Sequence, residues 1–417
     1  MTAVAAPRRA PARQTGAEAP VAGFVELAAV TEPGKRVVAL AESLAEEIAP
    51  RAAAHDRNGS FPLHSFAAVK RAGYFTAPIP EELGGLGVAS VHDVLVASSR
   101  LARGDASLTL GVNMHLVFVL NVLRRRQIAV AAGDERRAGA FGETLAQIAR
   151  EGTVFAAAVS ELGQDLSRPA TTAVRTESGW TVSGEKVFCT MAAAADVFYT
   201  AVTYVDGGGR ELYGYALVPR STPGVVVHDD WDALGMRASA SHSVSFEDVR
   251  LPPSALRGGF PVGDTVEYLE RNLTAGLFHG AVALGIAEGA HADVARRLRR
   301  REGADPRAEL LAAQNVVDLA AARAVLGRAG ALVDGSEADL TSLFAEAQSA
   351  KAFVSEAAMR VVERAFALAG GAGYLSGSRI ARAYRDVRAT PLMHPLGANR
   401  AYAFLGELAA GRAPALR

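Results

Sequence analysis

Hydrophobic positions along this chain follow a helical period, then a strand period, then a helical period again. From Val37 to about Val130 apolar side chains recur three and four residues apart, as in VVALAESLAEEIAPRAAAHD and FPLHSFAAVKRAG. Asn58-Gly59-Ser60 with Phe61-Pro62 marks a helix start, Gly73 marks a stop, and two more helical runs cover Val91 to Arg103 and Ala106 to Arg125. Near Thr153 the period shortens. TVFAAAVS, GWTVSG, EKVFCTM, DVFYTAVTY, YGYALVP and HSVSFEDVRL are short β-branched or alternating runs separated by Gly, Pro, Asp and Ser. From about Phe260 helical spacing returns as one long run from DTVEYLERNL to RRLRRR, a charged break at EGADPRAE, and two further long runs. Small residues at four-residue spacing suit close helix packing in an up-down bundle.

The pattern predicts an α+β chain: an N-terminal helical domain over 31–152, a middle β domain (a small barrel or sandwich) over 153–258, and a C-terminal four-helix bundle over 259–417. Residues 1–30 are expected to form a tail. Its first 22 or so are Ala/Pro/Arg-rich without an apolar h-region, which reads as disorder rather than a signal peptide.

Charge and cysteine usage narrow the class of function. Lys+Arg and Asp+Glu both number 44, which argues against broad nucleic-acid or anionic-membrane binding. The single cysteine, Cys189, excludes an intrachain disulfide and fits a reducing compartment, so a cytoplasmic protein is expected. The most apolar stretch, Leu108 to Leu123, is interrupted by Asn113, His115 and Asn121 and reads as a buried helix, not a membrane span. The scattered histidines form no HxxxH or HExxH, so no metal site is expected. No P-loop or GxGxxG opens a strand–helix unit, so nicotinamide binding is not expected either.

Candidate chemistry gathers in AGGAGYLSGSRIARAYRDVRATPLMHPLGAN, from Ala369 to Asn399. Gly370, Gly371 and Gly373 allow backbone geometries and close approaches that a Cβ blocks. Pro391 and Pro395 stiffen a loop around His394, the one side chain there with an ordinary pKa near neutrality. GGAGY followed by YRDVR resembles the C-terminal flavin segment of the acyl-CoA dehydrogenase superfamily. The resemblance runs from about Asp56 to about Leu405: PEELGGLG is similar to a loop of the N-terminal domain, VSELGQD stands where the family has TEPGAGSD, EKVFCT where it has KxWIT, and DALGMRAS with SVSFEDVRLP is close to its wording.

The resemblance implies a flavin, FAD or FMN, on the middle domain. Phe188 would replace the usual Trp as the apolar wall behind the ring, and Ser160 and Thr190 would offer it hydroxyl and backbone donors. His115 of NMH and Arg237 of DALGMRAS would lie on the substrate side; the alternative for His115 is a hydrogen-bonded core histidine. Gly370 and Gly371, with Gln314, would serve the dinucleotide half. Where the family has a glutamine before the glycine pair this chain has Ala367, and RxxFG becomes RREGADPR, which implies weak FAD retention or use of FMN. Assembly as a homo-oligomer, usually a tetramer, is implied through the bundle.

Two reactions follow from one departure. Common dehydrogenases carry a glutamate eight residues past the Arg-Asp pair, where this chain has His394. A branch of flavin monooxygenases, including the amino-sugar N-oxygenases (nitrososynthases) of antibiotic pathways, lacks that glutamate, and RDVRA…MHP with DxWDxLGMRAS looks like theirs. On this reading reduced flavin from a separate reductase reacts with O2, and His394 handles a proton at the oxygen passed to a small amine-bearing or aromatic metabolite. The alternative is an acyl-CoA or acyl-carrier-protein dehydrogenase working with an electron-transfer flavoprotein. Its base would be Glu270 in YLERNLTAG, which some branches use, against a plain ion pair for that Glu.

Overall fold

The computed structural model describes residues 25–163, 168–300, 303–335 and 338–414. The expected tail lies outside the described residues as far as residue 24. Its last stretch is not a loose tail: the Leu27 carbonyl accepts from Arg100 Nη2 at 2.6 Å, and the Val30 N–H donates to Asp93 Oδ1 at 2.8 Å. Asp93 thus orders the entry into the first helix, where Thr31 caps by accepting from the Gly34 N–H.

Five helices follow: α1 (Glu32–Asn58), α2 (Leu63–Arg71), α3 (Val91–Ala102), α4 (Ala106–Ala131) and α5 (Glu135–Glu151). The strands are β1 (Phe155–Ala158), β2 (Thr172–Thr176), β3 (Gly179–Cys189), β4 (Val197–Val205), β5 (Glu211–Pro219), β6 (Val225–Val227), β7 (His242–Leu251) and β8 (Leu256–Pro261). They form one sheet in the order β6-β7-β3-β2-β4-β5-β8, with β1 parallel to β4. Period-two alternation gives that sheet two buried faces. Phe198, Val202, Ala216 and Val218 pack into the domain's own core with Val244 and Phe246. Tyr199, Ala201, Tyr213 and Tyr215 face the other way, and Tyr199 meets Phe118 of α4 at a ring separation of 5.3 Å.

The remaining helices are α6 (Thr265–Asn272), α7 (Ala275–Arg299), α8 (Pro306–Gly335), α9 (Leu340–Ala369), α10 (Gly371–Tyr374), α11 (Arg379–Asp386) and α12 (Ala398–Ala409). The long run expected after Phe260 is therefore two helices, broken at Leu273–Thr274. The charged break was read correctly, with α7 ending at Arg299 and α8 starting at Pro306. Helix α4 and the stretch Thr265–Arg299 are long and apolar enough to cross a membrane, yet their most apolar windows are 78% and 100% buried within the fold. They are core helices.

The Arg-Asp pair of YRDVR ties the three parts together. Arg385 forms an ion pair with Asp56 at the end of α1, at 2.5 and 2.9 Å. Asp386 accepts the Met236 N–H at 2.6 Å, and a Cβ at Gly235 would sit 2.3 Å from the Arg385 carbonyl oxygen. DALGMRAS needs its glycine because the end of α11 presses on that backbone.

Candidate functional site

The site is organised by α6, a helix of 8 residues whose faces point to three parts of the molecule. Glu267 and Glu270, three residues apart, lie on one face and meet arginines of α4. Tyr268 and Asn272, four apart, lie on another and hold the His394 loop. Arg271 faces the sheet, its guanidinium 4.5 Å from the Tyr215 ring centroid.

His394 is fixed by these neighbours in a single tautomer. Asn272 Nδ2 donates to the Tyr268 carbonyl at 2.8 Å, which sets the amide so that Oδ1 faces the imidazole. His394 Nε2, 2.7 Å from that oxygen, must then carry the proton and donate, leaving Nδ1 as an acceptor. Burial, with the charges of Arg271 and Lys351, holds the imidazole well below its usual range, so it stays neutral. An oxygen-side donor at Nδ1 is therefore not what this ring offers; it presents a lone pair.

Glu270 takes the role that the sequence left as its alternative. Arg124 Nε donates to its Oε1 at 2.5 Å, which commits the carboxylate to a half-buried ion pair. Residues two apart on a helix diverge by roughly 200° in projection, so Glu270 points away from Asn272 and the His394 loop.

A second group sits at the end of β3. Phe188 has φ 57° and Met191 φ 67°, and the segment paired with them carries Met236 at φ 51° and Ala240 at φ 45°. Non-glycine residues hold such angles only where the surroundings impose them. Phe188 is nevertheless 58% exposed, its ring edge-to-face with Trp231 at 6.2 Å. An open aromatic face on a constrained backbone fits the flat ring system of a flavin, which needs an apolar wall and polar groups at its edge. Thr190 is buried beside it in a hydroxyl chain, Thr190 Oγ1 to Ser241 Oγ at 2.9 Å and Ser241 Oγ to Ser239 Oγ at 2.7 Å. Its backbone N–H is already given to the Phe188 carbonyl at 2.9 Å, so of the two donors expected from Thr190 only the hydroxyl remains. Ser160 is half-buried, and its carbonyl accepts the Val187 N–H at 3.0 Å.

After burial, the charge of Arg271 is the main cause that lowers the pKa of His394. Arg271 is buried and, among the described residues, pairs with no carboxylate. Between them the two groups make no direct contact among the described residues.

The remaining candidates stand apart. His115 is fully buried: Nε2 donates to the Phe75 carbonyl at 3.1 Å and Nδ1 accepts the Phe155 N–H at 3.1 Å. Burial pushes it down to about 3. It is the hydrogen-bonded core histidine, with no nitrogen left for a substrate. Arg237 donates to the Asp56 carbonyl at 2.9 Å and the Ala233 carbonyl at 3.1 Å, clamping the DALGMRAS turn to α1. Gln314, Gly370 and Gly371 are exposed on the bundle, and among the described residues nothing lies within 4 Å of a Cβ built on either glycine. Of the two, only Gly370, at φ 57°, needs its missing side chain for the fold itself. A cleft of about 520 Å³ between α1, α3, α7 and α8 is lined by none of these. Its Arg100, Arg103 and Arg323 are paired with Glu26, Glu42 and Glu288. No group of three or more metal-ligating side chains occurs among the described residues.

Asn272, Arg271, Tyr268 and Ser241 were missed in the sequence. Asn272 sits two residues past Glu270, and a polar side chain four residues after Tyr268 on an otherwise apolar face was the available signal.

Fold and site together define a flavin-dependent oxidoreductase built on a helix–sheet–helix plan. The chain belongs to the acyl-CoA dehydrogenase family: it matches the N-terminal domain over residues 37–126, the middle domain over 155–249 and the C-terminal domain over 277–394. Among its relatives is L-evernosamine nitrososynthase of a Micromonospora species, 32% identical over 400 residues and 92% of each chain. Amino sugar nitrososynthase DnmZ of Streptomyces peucetius is 30% identical over 92% of this chain and 95% of its own. Among solved structures, KijD3 in complex with FMN and dTDP-3-amino-2,3,6-trideoxy-4-keto-3-methyl-D-glucose superposes with a TM-score of 0.85 at 30% identity, covering 92% of this chain and 95% of that one.

Proposed function

We propose that this protein is a two-component flavin monooxygenase that oxygenates the amino group of a small metabolite, an amino sugar carried on a nucleotide being the substrate class that its relatives suggest. The observation that carries the reading is the fixed tautomer of His394, a neutral ring with its Nδ1 lone pair free, at the position where the dehydrogenases have a glutamate. Glu270, committed to Arg124, supports this over thioester desaturation.

When bound, reduced flavin supplies the electrons that activate O2. The chain's own residues do the rest. Phe188 forms the wall against one face of the ring, and the Thr190 hydroxyl and Ser160 address its edge. Arg271, buried and paired with no carboxylate among the described residues, disfavours an ammonium nearby, so the substrate amine binds in its neutral, nucleophilic form. One oxygen atom of O2 passes to that nitrogen as the O–O bond breaks and the other leaves as water, the two electrons being those of the reduced flavin. The cation formed at nitrogen is a far stronger acid than the parent ammonium, and His394 Nδ1, neutral at rest, takes its proton. Ala367 and the exposed Gln314 leave little for an adenylate, which favours FMN, delivered reduced by a separate reductase in the cytoplasm. The exposed Tyr374, Leu375 and Val317 of the bundle suit assembly into a tetramer.

The test supplies the purified protein with reduced FMN, O2 and dTDP-linked 3-amino sugars and follows the product by mass spectrometry. Mass gain at the amine, carrying label from 18O2, is expected. Bleaching of bound flavin by an acyl thioester under anaerobic conditions, with no amine oxygenation, would overturn the reading.

A further inference from the structure

The loop that carries His394 is irregular and largely buried, so each of its carbonyls needs a donor. Three of four consecutive carbonyls receive one from a bundle side chain. Lys351 Nζ of α9 donates to Met393 and, at 2.7 Å, to Leu396. Tyr268 Oη of α6 donates to Pro395 at 2.8 Å. Two helices thus grip one turn of chain, and Lys351 takes the carbonyls on both sides of the His394-Pro395 pair.

A lysine is a costly choice for that task. Lys351 is 2% exposed and forms no ion pair among the described residues, so only the carbonyl dipoles offset its desolvation, and burial pushes the amino group down to about 7. The seam around it is polar as well. Among the described residues the Gln348 amide, Ser355 Oγ and His279 Nδ1 are buried without a hydrogen-bond partner, and a Cβ at Gly276 would lie 3.1 Å from Gln348 Nε2 and 3.4 Å from Lys351 Cδ. Such orphaned groups mark places for buried water between α7 and α9.

We propose that Lys351 is the positioning residue of the site: its amino group clamps the carbonyls of Met393 and Leu396, and so aims the His394 imidazole at Asn272 and keeps Nδ1 open to the substrate. The catalytic consequence rests on the monooxygenase reading; the orientation of the ring does not.

The experiment uses 15N-histidine-labelled protein, with the His394 signals identified by their absence in His394→Gln. Wild type is expected to show one tautomer, protonated at Nε2. Lys351→Met, similar in length and uncharged, is expected to fold with a lower melting temperature because the Met393 and Leu396 carbonyls lose their donor, to show both tautomers at His394, and to lose ten- to a hundredfold in kcat with KM little changed. Lys351→Gln, a polar and shorter replacement, carries the same measurement should the methionine variant not fold. A folded variant whose His394 keeps the single tautomer overturns the proposal. If wild type oxygenates no amine, the functional reading fails while the tautomer result still decides the clamp.

Discussion

Two faces of one short helix treat an ionisable group in opposite ways. On the Glu270 face the side chain is half-buried, faces α4, and is neutralised by Arg124. On the Asn272 face the imidazole is ringed by protein, has no countercharge among the described residues, and remains neutral because charging it there is costly. The first arrangement spends the group's basicity on structure, and half-exposed ion pairs of this kind contribute about 0–1 kcal/mol. The second stores a lone pair in one orientation. On the proposed reading, pairing and not intrinsic acid strength decides which face serves as the base.

The sharpest way to break this contrast is to remove each group in turn. His394→Asn is expected to lower kcat/KM for amine oxygenation by about 10²–10⁴, the range for loss of a positioned general base. Glu270→Gln should stay within about threefold of wild type and cost about 1 kcal/mol or less in urea unfolding. Steady-state rates with reduced FMN and the amino-sugar nucleotide measure the first. Reversal of the two effects would move the chemistry to the other face and revive the dehydrogenase reading.

Asn272 sharpens it further. Asn272→Leu keeps the branched shape and removes the acceptor at Nε2, and should cost about ten- to a hundredfold in kcat through loss of orientation. Asn272→Asp places a carboxylate 2.7 Å from the ring nitrogen in the present geometry. A negative charge there stabilises the imidazolium and raises the His394 pKa, so the base becomes protonated at higher pH. The acid limb of the pH–rate profile is then expected to move to higher pH in that variant.

This contrast also marks what the sequence could and could not reveal. Periodicity located the helix–sheet–helix order because the sheet's two faces and the bundle's seams are written in apolar spacing. The motifs GGAGY, YRDVR and DALGMRAS led to the family, and the structure gives YRDVR and DALGMRAS a plain reason in the Asp386–Met236 and Gly235–Arg385 contacts. The break at Leu273–Thr274 was not legible, because no Gly or Pro punctuates it and the apolar pattern runs straight through. Nor were the partners of His394 and Glu270. His394 meets a residue 122 positions away and Glu270 one 146 away, and spacing along a chain carries no information about such pairs. His115 illustrates the converse: a histidine in an apolar run was legible as core, while its two backbone partners were not.

The buried imidazoles allow the same contrast to be read in stability. His115 has an ordinary value of 6.5 that burial lowers to about 3 in the fold, and His279 behaves alike. A histidine depressed in the native state contributes stability that is complete above pH 6.5 and is lost as pH falls towards 3, because the unfolded chain gains the proton first. Between pH 7 and pH 5 each such ring should cost about 2 kcal/mol. Urea midpoints at the two pH values for wild type and His115→Gln check this. The loss on acidification should be smaller in the variant by about that amount, whatever the substitution does to packing, because each protein is compared with itself. Equal losses in both would mean that His115 is not held neutral.

The smallest expected effect concerns the sheet side of the site and has opposite signs for fold and function. Phe188 sits at φ 57° with more than half of its surface exposed, so the chain spends strain on a side chain that gains little burial. Phe188→Gly relieves that strain, worth about 1 kcal/mol or more for a left-handed non-glycine residue, but also frees the unfolded backbone at a cost of about 0.5–1 kcal/mol. The net change in unfolding free energy should therefore lie near zero, within about 1 kcal/mol, far from the loss of about 3–5 kcal/mol that deletion of a packed phenylalanine brings. Flavin affinity should nonetheless fall, by about tenfold for an aromatic stacking surface, measured by fluorescence quenching of FMN. A variant that binds flavin as wild type does would place the ring system elsewhere. A variant that loses several kcal/mol would mean the phenylalanine is held for the fold, and its exposed face would no longer mark a ligand.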